Sequence, residues 1–131
     1  MTDTAPDMSF HRLVRGFACA FAGVAVLIRT QRSARIHLLF TLLILGLAAL
    51  LRLAVQDWCW LILAIAMVWF AEAINTAVEF LSDVVCPQYH DGIRNVKDVA
   101  AAAVFFAVIG AVTIGLLILA PPLWRWFASL R

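Results

Sequence analysis

The chain has 131 residues, 65% of them hydrophobic and only 14% charged, with a net charge of +2 and a mean hydropathy of +0.98. Soluble domains are nearer half apolar and a quarter charged, so this composition excludes an ordinary soluble domain and points to a single membrane domain over residues 1–131. The three cysteines, Cys19, Cys59 and Cys86, are too scattered for a zinc site or a disulfide framework and read as small packing residues.

The first nine residues, MTDTAPDMS, carry two acids and lack the basic start of a secretory signal. Ser9 is a candidate N-cap for an amphipathic helix over about 9–32. Its apolar residues Phe10, Leu13, Val14, Phe17, Phe21, Val24 and Ile28 recur at helical spacing. The other side holds Arg12, Arg15, Gly16, Cys19, Ala20 and Gly23, basic at first and then small. Such a helix either lies on the membrane surface or packs as an ordinary amphipathic helix.

Three spans follow, over about 36–52, 57–84 and 96–120. Arg35 and Arg52 bracket the first, Pro87 and Gly92 mark the connection CPQYHDGIRN before the third, and Pro121-Pro122 are expected to end it. The N-terminus and second connection share one side, with Arg12, Arg15, Arg29, Arg32, Arg35, Arg94 and Lys97 against Arg52, Arg125 and Arg131 on the other. The positive-inside rule makes the richer side of this multi-pass protein cytoplasmic. Trp58, Trp60, Trp124 and Trp126 then fall together at the outer interface, where indoles prefer to sit. Trp69 is left for lipid or packing.

The chemistry lies on the second span. Glu72, Asn75, Glu79 and Asp83 are spaced by three, four and four residues, which aligns them on one helical stripe. A carboxylate in hydrocarbon costs at least ~2.5 kcal/mol, so such a stripe is expected to face protein or water as a functional site. The alternative is an interhelical polar network without chemistry. Glu72 is deepest and suits general-base work, whereas Glu79 and Asp83 approach the interface and suit a hard cation. Tyr89 and His90 precede Arg94, Lys97 and Asp98 at the start of the third span. A helix N-terminus and a lysine favour a phosphate, so this end offers parts for a magnesium-nucleotide. Arg29, Gln31, Arg32, Arg35 and His37 approach the first span, where lipid headgroups or a polyphosphate would meet them.

The segment AEAINTAVEFLSDVVCPQYHDGIRNVKDVAAAAV resembles the signature of the small prokaryotic membrane lipid kinases, the diacylglycerol kinase and undecaprenol kinase family. Glu72, Asn75, Thr76, Ala77, Glu79, Asp83, Tyr89, His90, Lys97 and Asp98 carry the likeness. Phe10-His11-Arg12 and Arg35-Ile36-His37 extend it over nearly the whole chain. The resemblance implies a homotrimer of three-span protomers, each with an N-terminal surface helix. Sites between subunits would transfer phosphate from magnesium-ATP to a lipid hydroxyl, with no nucleic-acid partner. By position, Glu72 matches the catalytic base, Glu79 a metal-binding and nucleotide-side carboxylate, and Asn75 a residue organising the site. Lys97, Asp98, Tyr89 and His90 match nucleotide-side positions, and Arg12 a basic residue near the substrate. Gln31 stands where the best-known members carry a second metal-binding glutamate, keeping a carbonyl oxygen but losing the charge. A fold that is kept without turnover, as a silent membrane assembly or transport subunit or as a lipid-binding scaffold, is the alternative.

Overall fold

A computed structural model of the chain describes residues 8–128, with side chains from His11 onward. The polar residues 1–7, Phe10's side chain and Arg131 lie outside that description, and Ser9, expected to cap the first helix, lies inside that helix after Met8.

Among the described residues every regular element is an α-helix: α1 (Met8–Thr30), α2 (Arg32–Leu50), α3 (Val55–Val85) and α4 (Asp91–Ala128). All four are long and apolar enough to cross a membrane. Helices satisfy their own backbone, which hydrocarbon requires of any spanning segment. The chain is therefore an all-α membrane protein, as its composition predicts.

α3 and α4 form the most closely packed pair, α2 lies along α3, and α1 meets α2. The alanines of VAAAAV let α4 approach its neighbour closely. α3 supplies the centre. Its buried residues Leu61, Ala64, Val68, Glu72, Asn75 and Ser82 fall on one stripe, apolar in its first half and polar in its second. The apolar face of α1 touches little of this: Leu13, Phe17 and Phe21 are exposed in the single chain, and Leu27 is the residue that becomes buried. Cys19 and Cys59 are exposed free thiols and Cys86 is half-buried, so the packing role expected of the cysteines does not hold inside one chain for the first two.

The joints are short. Gln31 alone separates α1 from α2, in an extended conformation (φ −99°, ψ 124°) that turns the chain. α2 ends in a double cap: Arg52 N–H donates to Ala49 O at 3.1 Å and Leu53 N–H to Ala48 O at 3.2 Å. That Schellman pattern needs a left-handed residue between, and Arg52 adopts it at φ 51° without being glycine.

Two expected boundaries are corrected. The helix that carries the third span begins before Val96: α4 starts at Asp91, where His90 caps it. Gly92 N–H donates to His90 Nδ1 at 3.1 Å, and a Cβ on Gly92 would lie 3.1 Å from that imidazole. Nor do Pro121 and Pro122 end the helix near Ala120, since both lie inside α4, which continues to Ala128. Proline's fixed φ is helical, so the helix can run on although the two prolines leave the carbonyls of 117 and 118 without amide donors and crowd them.

Candidate functional site

The polar half of the α3 stripe meets α2 and α4 in three layers. In the deepest, Glu72 is 1% exposed. Ser33 Oγ donates to its Oε1, and His37 Nε2 stands 3.7 Å from its Oε2. One turn further into the apolar half, Trp69 Nε1 donates to Thr41 Oγ1 at 3.1 Å. Trp69, left unassigned by its sequence position, thus ties α3 to α2.

About 10 Å along the axis from Glu72 comes Glu79. Gln31 Nε2 donates to its Oε2 at 3.1 Å and Asn75 Nδ2 to its Oε1 at 3.0 Å. Asn75 is 8% exposed, and its Oδ1 makes no hydrogen bond with a described residue. Thr76 Oγ1, on a residue 4% exposed, is equally without one. An unpaired buried oxygen costs about 1–3 kcal/mol, so both mark places where a further group would be welcome.

The third layer is open. Lys97 Nζ donates to Asp83 Oδ1, joining α4 to the end of α3. Arg94 and Asp98 pair at 3.7 Å across one turn of α4, and Tyr89 donates its hydroxyl proton to Asp91 Oδ1 at 2.7 Å. Asp83, Tyr89, His90, Arg94, Lys97 and Asp98, with the loop 86–88 and Ile93, line a cleft of about 310 Å³. Exposed pairs of this kind contribute ~0–1 kcal/mol, so the cleft's charges can exchange partners at little cost.

The site residues expected on α3 therefore share one stripe, Lys97 and Asp98 of α4 share a cleft with Asp83 at its end, and Gln31 joins the stripe at Glu79. Arg12 lies apart, 19 residues before Gln31 along α1, about 28 Å of helix. Ser33 is the site residue that spacing alone did not single out, and His37 turns towards Glu72 rather than only to headgroups. Ser33, His37 and Thr41 do recur every four residues on α2, a spacing that gives them a common face without saying which helix that face meets.

A magnesium ion is a hard cation that takes oxygen ligands. Among the described residues no three His, Cys, Asp or Glu side chains cluster as a metal site. Here the Gln31 and Asn75 amides turn their nitrogens to Glu79, so the carboxylate is the one charged ligand in place, and either amide would have to turn over to offer its oxygen. One carboxylate suits magnesium that arrives with nucleotide phosphates, which normally uses one or two carboxylates plus phosphate oxygens.

Residues 18–119 match the profile of the family described as prokaryotic diacylglycerol kinase. A Synechocystis protein named diacylglycerol kinase is 38% identical over 112 residues, covering 85% of this chain and 64% of that protein. The chain thus spans just under two thirds of that relative's length. A Bacillus subtilis protein named undecaprenol kinase is 33% identical over 114 residues, covering 86% of this chain and 92% of that protein. Match and site agree on the same helices: this chain belongs to the prokaryotic diacylglycerol kinase family.

Proposed function

We propose that the protein is an ATP-dependent lipid kinase. It transfers the γ-phosphoryl group of magnesium-ATP to the primary hydroxyl of a membrane lipid, diacylglycerol or undecaprenol. The observation that carries this reading is the order of depth along α3. A sealed carboxylate, Glu72, is followed by the Glu79 carboxylate and then by the open Lys97 cleft.

Phosphoryl transfer asks the protein for positioning and charge neutralisation more than for covalent chemistry. A lipid hydroxyl stands near the interface, at the depth where Glu72 can take its proton as the oxygen attacks phosphorus. Glu79, with the Asn75 and Gln31 amides turned over to offer their oxygens, would hold magnesium, which offsets phosphate charge when bound. Lys97 moves from Asp83 to the phosphates, and Asp98, Tyr89 and His90 line the nucleotide side. Arg12 stands near the lipid headgroup. Three copies form a homotrimer with sites shared between subunits, α1 lies on the cytoplasmic surface, and the cleft faces the cytoplasm of a bacterial inner membrane. The exposed apolar face of α1 and the basic residues around both joints support that placement.

The test is transfer of labelled phosphate from ATP in mixed micelles, with diacylglycerol and undecaprenol offered in parallel. Wild type labels one of the lipids, and Glu72→Gln loses on the order of 10³-fold or more in kcat while keeping its assembly. Retained turnover in Glu72→Gln would remove the base assignment. A second reading, a silent assembly or transport subunit, is favoured by one observation: Gln31 and Asn75 already supply donors to both Glu79 oxygens. A folded trimer that labels neither lipid would favour that reading or a kinase with another acceptor.

A further inference from the structure

Glu72 is approached from α2 at both of its oxygens, by Ser33 at Oε1 and by His37 at Oε2. Holding two helices together does not require this. Thr41 already ties α2 to Trp69 a turn away, and Gln31 ties α2's start to Glu79. Both contacts fall on the one carboxylate that the kinase reading makes a base, so any part they play in proton transfer rests on that reading.

We propose that Ser33 is a positioning residue for Glu72, and that His37 receives the proton Glu72 takes from the lipid hydroxyl. A glutamate side chain has several rotatable bonds, and fixing it costs up to about 2 kcal/mol of rotamer freedom. The Ser33 hydroxyl fixes Oε1 and leaves Oε2 as the oxygen that accepts the proton. Glu72 is sealed at 1% exposure, so it cannot return that proton to bulk water directly. His37, with 17% of its side chain exposed in the single chain, is the less enclosed of the two groups and leads away from Oε2.

The step balances. The acceptor O–H bond breaks as its oxygen bonds the γ-phosphorus, the bond from that phosphorus to the β,γ-bridging oxygen breaks so that ADP leaves with the electron pair, and the acceptor's proton goes to Oε2. The Oε2–H bond then breaks as an Nε2–H bond forms, which restores the carboxylate and leaves an imidazolium that releases its proton to water. His37 must therefore begin with its single proton on Nδ1.

The experiment compares Ser33→Ala, Ser33→Thr, His37→Ala and Thr41→Val with wild type and Glu72→Gln in the micelle assay. Ser33→Ala lowers kcat about 100-fold with both KM values unchanged, the scale of a mis-set reacting group, and Ser33→Thr regains most of it. His37→Ala loses about 100-fold, as expected of a lost proton-transfer group, and added imidazole restores part of the rate. Thr41→Val breaks a comparable α2–α3 tie and keeps kcat. Wild-type kcat in Ser33→Ala, no imidazole rescue of a folded His37→Ala, or an equal loss in Thr41→Val would overturn the inference while leaving the kinase reading intact. A wild type no more active than Glu72→Gln would instead remove that reading, and the inference with it.

Discussion

Glu79 accepts from two amides, and one of them, Gln31, stands where a second carboxylate would double the charge available to a cation. Replacing an amide donor by a carboxylate a few ångströms away trades attraction for repulsion when no cation is present and adds attraction when one is. Gln31→Glu is therefore expected to lower the magnesium concentration for half-maximal activity on the order of tenfold. It should also lower the unfolding midpoint in chelator. A magnesium titration of turnover, with thermal unfolding in chelator alongside, checks both; an unchanged titration would place the cation away from Glu79. The α3 stripe was legible in the sequence because carboxylates are costly in an apolar helix and their spacing fixes a common face. Ser33 was not, because a hydroxyl in such a helix carries no comparable cost, and spacing within α2 does not say which helix its stripe will meet.

The elements show where local signals mislead. Gly92 and its charged neighbours read as loop, yet His90 uses that glycine's amide to start α4 five residues before Val96. Two prolines read as a stop, yet their φ suits the helix they sit in. Arg52 is the converse case, a position where the backbone asks for glycine and the sequence supplies arginine. The left-handed conformation costs a side-chain-bearing residue about 1–2 kcal/mol, and glycine's extra freedom in the unfolded chain returns about 0.5–1 kcal/mol of that. Arg52→Gly is thus expected to stabilise the fold by about 0.5–1 kcal/mol. Denaturant unfolding in detergent measures it, and a lowered midpoint would mean that the arginine side chain holds the turn by contacts that outweigh the strain.

For the whole molecule, membrane class and number of long helices were legible from hydropathy, since hydrocarbon leaves the backbone few choices. Arrangement relative to the bilayer rests on charge asymmetry, on where the tryptophans fall and on the exposed apolar face of α1, and it is open to direct measurement. In a background without native cysteines, a cysteine at Ala54 is expected to react with an impermeant thiol reagent added outside spheroplasts. One at Gln88 is expected to react only after permeabilisation. The reverse pattern would turn the cleft away from cytoplasmic ATP and end the kinase reading in this orientation. Gln31 gives the molecule one more property. It is the sole residue between α1 and α2, and its side chain ends on Glu79. On the kinase reading, a tilt of α1 would turn the backbone that carries this amide and so reach the proposed cation site through a single side chain.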